Sequence, residues 1–253
     1  MIFDSHAHYD DDSFNEDRDE LLNVILPQKG VTGIINCASD FESIAKTIEL
    51  SEKYPFLYAA LGIHPECAAR LPENWFEVLK DGLKREKTVA LGEIGLDYYW
   101  EDSCPRDIQK EVFIKQMELA KELDIPVIIH DREAHGDTLE ILKKYKPKGV
   151  VHCFSGSVEM AREVIKLGMY IGMGGVVTFK NARHSVEVMK EIPLEKLLLE
   201  TDAPYLSPVP MRGKRNDSSL IPYAAAKIGE LRGLSATEIL EISRNNVKEL
   251  FGI

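Results

Sequence analysis

Six residues of metal-ligating type stand where short apolar runs end. His6 and His8 close the run Ile2-Phe3-Asp4-Ser5-His6-Ala7-His8, and Glu93 follows Val89-Ala90-Leu91-Gly92. His130 follows Val127-Ile128-Ile129, His152 follows Gly149-Val150-Val151, and Asp202 follows Leu197-Leu198-Leu199-Glu200-Thr201. Alternate residues of a strand share a face, so His6 and His8 are expected to point the same way. Four imidazoles and two carboxylates are enough to hold two divalent cations with positions left for water and substrate. In the expected arrangement His6, His8 and Asp202 surround one cation, and His130 and His152 the other. Glu93, from a strand between them, bridges both, as suits dications about 3.5–4 Å apart. Such a pair lowers the pKa of bound water and stabilises charge on an attacked oxygen, and Asp202 can take the proton of that water. Asp4, one layer deeper on the His6 face, reads as a buried hydrogen-bond partner of the site. A lone His-x-His fits two hydrogen-bonded core histidines equally well. The specificity lies in five separate apolar runs that all end in ligand types.

Eight apolar, β-branched-rich runs recur, at 2–6, 33–37, 57–63, 88–93, 126–130, 149–153, 169–173 and 196–200. Segments of helical periodicity separate them, such as 105–124 and 157–167, and two more, 222–232 and 235–250, follow the last run. Ser235 with Glu238 three residues on predicts a capped helix start. Near-continuous apolar strands alternating with helices imply a parallel sheet buried on both faces. Eight such units in 253 residues predict an α/β fold, a single-domain (β/α)8 TIM barrel over residues 1–253. An open doubly wound sheet would gather its site at one switch point and would not converge ligands from strands 1, 4, 5, 6 and 8. In a barrel all those strand ends face one mouth.

The composition, 44% hydrophobic and 29% charged, is that of a globular domain, and no apolar run approaches the roughly 18 residues of a membrane span. With a strand expected from residue 2, no signal peptide is expected. Cys37, Cys67, Cys104 and Cys153 form no CxxC pair and are expected to be reduced thiols of a cytoplasmic protein. Cys153, next to His152 on a strand, is expected to face the core. The net charge of −11 argues against a protein that coats nucleic acid generally. It leaves room for an enzyme that grips phosphate within one cleft, where dications and a few arginines reverse the sign.

The motifs Asp4-Ser5-His6-Ala7-His8, Gly62-Ile63-His64-Pro65 and Gly92-Glu93-Ile94-Gly95-Leu96-Asp97-Tyr98-Tyr99 belong together. So do Gln109, Pro126-Val127-Ile128-Ile129-His130-Asp131-Arg132, Val151-His152-Cys153-Phe154-Ser155-Gly156, Glu200-Thr201-Asp202-Ala203-Pro204-Tyr205-Leu206 and Arg212-Gly213-Lys214-Arg215-Asn216. Through them the chain resembles, over nearly its whole length, the TatD family of metal-dependent deoxyribonucleases among the amidohydrolase-like barrels. The resemblance places the family's metal ligands on His6, His8, Glu93, His130, His152 and Asp202. It implies hydrolysis of DNA phosphodiesters, with a preference for single strands or 3′-5′ exonuclease behaviour. One departure stands out: where the family has Glu-Pro after the Arg-Gly-Lys-Arg-Asn run, this chain has Asp217-Ser218. No expected ligand is lost by it.

Other residues at the expected mouth have competing readings. His64 is placed near the substrate by the resemblance, or is a satisfied strand-end histidine. Arg132 can grip phosphate bidentately, or pair with Asp131 or Glu133. Tyr98, Tyr99, Phe154 and Tyr205 can stack on bases or pack within loops. Arg212, Lys214 and Arg215 can form a basic rim or a solvated charge run. His135 and His184 read as surface residues. The leading expectation is a monomeric enzyme that cleaves DNA, single strands favoured, with Glu93 and Asp202 catalytic and two divalent cations bound. Its histidine-rich site favours zinc or manganese, and magnesium is compatible. A metal-dependent carbonyl hydrolase (an amidohydrolase or an aminoacyl-tRNA deacylase) could use the same metal pair, and a metal-binding scaffold without turnover is the third reading. Arg132 and the basic run weigh toward phosphate.

Overall fold

The computed structural model describes residues 1–100 and 104–253. Eight parallel strands run in sequence order round one sheet: β1 (Ile2–Ala7), β2 (Val31–Cys37), β3 (Leu57–Leu61), β4 (Thr88–Asp97), β5 (Val127–Arg132), β6 (Gly149–Val151), β7 (Tyr170–Met173) and β8 (Leu197–Leu199). The ring is nearly closed. Ala7 and Ala203 form a single parallel bridge across the join between the first and last strands, flanked by hydrogen bonds from Asp202 N to the His6 carbonyl (3.0 Å) and from His8 N to the Ala203 carbonyl (2.7 Å). The expected TIM barrel is therefore the fold. No helix among the described residues is long and apolar enough to cross a membrane.

Strand alternation sorts the apolar residues into two layers. Ile34, Ala59, Leu91, Ile129, Val151, Ile171 and Leu199 pack outward under the helices. Phe3, Ile35, Ala60, Ala90, Ile128, Val150, Tyr170 and Leu198, one from each strand, form a second cluster inside the ring, closed off by Val247 and Phe251 of the last helix. Two residues further along these inward rows stand Cys37, His130, His152 and Glu200. The apolar plug thus carries a layer of ionisable groups at the C-terminal ends of the strands, where barrel active sites lie.

The flanking helices follow the expected periodicity. Arg106–Leu123 is followed by Asp124 in left-handed conformation, and Ile221–Arg232 and Ala236–Phe251 follow β8. The capping box forms as expected, the Ser235 hydroxyl accepting from Glu238 N and the Glu238 carboxylate from Ser235 N.

Strand lengths differ from expectation in two informative ways. β4 continues four residues past Glu93 and stays paired with β5, Gly95 opposite His130 and Asp97 opposite Arg132. Gly95 makes this possible: its φ is +149° and any Cβ would lie 1.9 Å from the His130 carbonyl oxygen. β6 and β8 are shorter than expected. His152 and Asp202 therefore sit just beyond their strands, on backbone that turns sharply, with Cys153 at φ +42° and Asp202 at φ +60°. That turn overturns the core placement of Cys153. It is half-buried, and its N–H donates to the Glu200 carboxylate.

Candidate metal centre

The six expected ligands meet at the mouth of the barrel around Glu93. Its Oε1 lies 2.7 Å from both His130 Nδ1 and His152 Nε2. Its Oε2 lies 3.4 Å from His6 Nε2 and 3.5 Å from His8 Nε2. Asp202 Oδ1 closes the other side, 3.5 Å from His6 Nε2 and 3.4 Å from His8 Nε2. The two Nε2 atoms of His6 and His8 stand 3.0 Å apart, and the His6 and His152 rings stack with centroids 3.9 Å apart. Within this cluster His6–His8–Glu93, His6–His152–Asp202 and Glu93–His130–His152 each bring three donor atoms within 4.8 Å of one another.

Partners on the outer side of each ring fix which nitrogen faces inward. His8 Nδ1 meets the Cys37 carbonyl at 2.7 Å, so it carries the proton and leaves Nε2 bare in a neutral ring. His6 Nδ1 meets the Cys37 thiol at 3.3 Å. His130 is reversed: Nε2 faces Asp97 Oδ2 at 3.0 Å and Nδ1 faces Glu93. His152 Nδ1 faces Glu200 Oε1 at 3.7 Å. Imidazole nitrogens gathered this closely toward one another and toward two carboxylates need positive charge between them, as protons or as a metal ion, and in their neutral form they are a donor set that fits divalent metal. Asp97, Glu200 and Cys37 had no assigned role in the sequence reading. Asp97 was visible as an acid four residues beyond Glu93 on the same strand, but only the pairing of β4 with β5 puts it behind His130.

Electrostatics follow from burial and proximity. Burial, reinforced by His152, pushes His6 down to about 4. Burial also works against charge on His8, but the Asp202 hydrogen bond and the Glu93 charge outweigh it and raise the ring to about 10. His130 rises to about 10 in the same way, through Asp97 and Glu93. Burial opposes ionisation of Glu93, yet His152, His6 and the His130 hydrogen bond hold its carboxyl well below the usual range. Glu200 has far less compensation, and burial raises it to about 8. Glu200 fits here because Gly172 has no side chain; a Cβ there would lie 2.5 Å from Glu200 Oε2.

Asp4 is fully buried. It accepts from His6 N (3.2 Å), Thr201 N (3.0 Å), the Thr201 hydroxyl (2.6 Å) and the Ser218 hydroxyl (2.6 Å). It ties the strand that carries His6 to the segment that carries Asp202. The Asp217-Ser218 pair is part of this brace: Ser218 N donates to the Tyr9 hydroxyl at 2.9 Å, a bond proline could not make, and Asp217 caps the turn by accepting from Ser219 N.

The profile described as "TatD related DNase" matches residues 3–252. The chain belongs to the TatD family. It is 45% identical to the Bacillus subtilis protein YabD, named an uncharacterized metal-dependent hydrolase, with 100% of both chains covered. The crystal structure of YjjV, a TatD homologue from Escherichia coli, superposes with a TM-score of 0.93 at 37% identity over 100% of this chain and 98% of that one. A TatD-family hydrolase from Entamoeba histolytica gives a TM-score of 0.88 at 26% identity, covering 99% and 98%.

The expected substrate residues of this TatD-family chain are placed unevenly. His64 reaches the centre, its Nε2 3.8 Å from Glu93 Oε1 and its Nδ1 accepting from Glu66 N. Burial and His130 push it down to about 3. Tyr205 is exposed and donates to Asp11. Arg132 lies exposed with its guanidinium 3.9 Å over the Tyr99 ring. Arg212 stacks on Phe179, and Lys214 is exposed. Arg215 departs from the rim reading: it forms a two-armed pair with Asp17, donates to the Ser13 carbonyl and covers Phe14. Phe154 is buried and Tyr98 is held by Asp137 and Arg106, so these two aromatics pack within the fold. His135 pairs with Asp131, and His184 is exposed.

Proposed function

We propose that this protein is a divalent-metal-dependent hydrolase that cleaves phosphodiester bonds of DNA, acting as a 3′-5′ exonuclease on single strands. The observation that carries this reading is the position of Glu93, whose two oxygens address two separate histidine pairs. A carboxylate so placed suits two cations, one held by His6, His8 and Asp202 and the other by His130 and His152. Cations there would supply Lewis-acid chemistry, lowering the pKa of water and neutralising charge on a phosphoryl oxygen.

The chain's own groups do the rest. Asp202, held ionised by His8 and His6 despite its burial, takes the proton of the attacking water on a carboxylate oxygen. Asp97 and Cys37 keep the histidine rings oriented. His64, at the rim of the centre, is placed to donate Nε2–H to a substrate oxygen, since its Nδ1 accepts from backbone. Arg132, exposed at the end of β5, and Lys214, exposed in the loop after β8, would supply positive charge for a phosphate chain.

The test is a matrix of metals against substrates. Metal-stripped protein and protein loaded with zinc, manganese or magnesium would meet labelled single-stranded DNA, duplex DNA, RNA, a simple phosphodiester and a set of amides and esters. Metal-dependent cleavage of single-stranded DNA from the 3′ end is the expected result. Turnover confined to amides or carboxylic esters would replace this reading with the carbonyl one.

A further inference from the structure

The C-terminal ends of β4 and β5 carry a feature that the metal centre does not use. Tyr99 is 50% exposed and Trp100 51%, unusual for large aromatics in a chain whose other rings are mostly covered. Their rings meet edge to face with centroids 4.7 Å apart. The Arg132 guanidinium lies 3.9 Å above Tyr99 and 5.6 Å from Trp100. The group is anchored to the site through one carboxylate: Tyr99 N donates to Asp97 Oδ1, while Asp97 Oδ2 faces His130 Nε2.

We propose that Tyr99, Trp100 and Arg132 form a stacking subsite for the nucleobase next to the scissile phosphodiester. The proposal rests on the DNA reading above and adds what seats the strand. The strand-end position puts the subsite one short step from Glu93 and His130. Arg132 already covers one face of Tyr99, so the shelf offered to a base is the guanidinium plane together with the exposed part of the two rings, a surface on which bases stack without regard to sequence. Arg132 adds a flat cation that can stack and still donate to phosphate. This matters in a chain of net charge −11, which has no general attraction for a polyanion. A base inside a duplex already has both faces covered by its neighbours, whereas a single strand can turn one base onto the shelf. The shelf therefore supplies a physical origin for single-strand preference.

The chain has two tryptophans, so Trp75→Phe leaves Trp100 as the sole reporter. Magnesium-loaded protein would be titrated with phosphorothioate-linked oligothymidylate, and with an oligomer of equal length and charge that lacks bases. Quenching by the first and little by the second is expected. Trp100→Ala and Tyr99→Ala should raise KM for single-stranded DNA by roughly 5- to 100-fold, the range of one lost base stack. They should leave kcat on a small baseless phosphodiester unchanged, and Trp100→Phe should recover most of the KM. If phosphodiester turnover stands but the base-bearing and baseless oligomers bind and quench alike, or both alanine variants keep the parental KM, the shelf is wrong and the DNA reading survives. If the protein turns over only carbonyl substrates, both fall together.

Discussion

Glu93 Oε1 stands 2.7 Å from His130 Nδ1, while the ring's other nitrogen is held 3.0 Å from Asp97. One carboxylate shares its two oxygens between the histidines at the end of β1 on one side and those of β5 and the β6 end on the other. On the two-cation reading, Glu93→Ala should lose at least ~10²-fold in kcat, more than any single histidine variant, because the cations would lose their shared negative charge. By mass spectrometry of the folded protein, the parent should carry two metal equivalents and the Glu93 variant one or none. Near-normal turnover under saturating metal would exclude the bridging role.

Asp202→Asn keeps the side-chain size and removes the carboxylate proposed to accept the proton. Single-turnover rate should drop by ~10²-fold or more, with DNA affinity largely kept. A loss of affinity with an intact single-turnover rate would make Asp202 a structural ligand only.

His8 and His130 give the metal-free protein a defined pH response. Both stand at about 10, above the ordinary histidine value of 6.5. Their contribution to folding is therefore fully present below pH 6.5 and is lost as the pH rises through about 10. The melting temperature of metal-stripped protein should fall across that window, and added metal should flatten the fall. Ligation needs neutral rings, so at pH 8 metal uptake should release about two protons. Calorimetry in two buffers of different ionisation enthalpy reads that number directly; no release would mean both rings are already neutral.

The basic loop should split in its behaviour. Lys214→Glu should weaken single-stranded DNA binding across sequences and flatten its salt dependence by about one counterion. Arg215→Ala should instead lower thermal stability, since Arg215 pins the loop to Asp17 and Ser13. Binding titrations at several salt concentrations beside melting curves separate the two. An unchanged salt slope for the Lys214 variant would remove this loop from the DNA path.

The gathering of six side chains was legible because each interrupts or ends an apolar run, and a charged group there has few bland explanations. The barrel was legible because eight buried strands alternate with amphipathic helices. What sequence could not disclose depends on register between strands. Glu200 looks like any acid after an apolar run until β6 and β8 place it behind His152. Asp97 needs the extension of β4 that Gly95 permits. Arg215 reads as a rim cation until the fold brings Asp17, 198 residues away, against it. Cys153 leaves the core because the backbone turns one step before strand alternation would place it there.

The join between β1 and β8 has a consequence for how the molecule comes apart. Ala7 and Ala203 make its one ladder contact among the described residues, so it is the thinnest seam of the ring. His6 and His8 stand on one side of that seam and Asp202 on the other. A cation gripped by all three would work as a clasp: free energy of ion binding would become free energy of ring closure. Chelation should then open the molecule from this edge inward. Amide protons of residues 6–8 and 202–203 should exchange with solvent faster, while the β4–β5 pairing on the far wall keeps its protection.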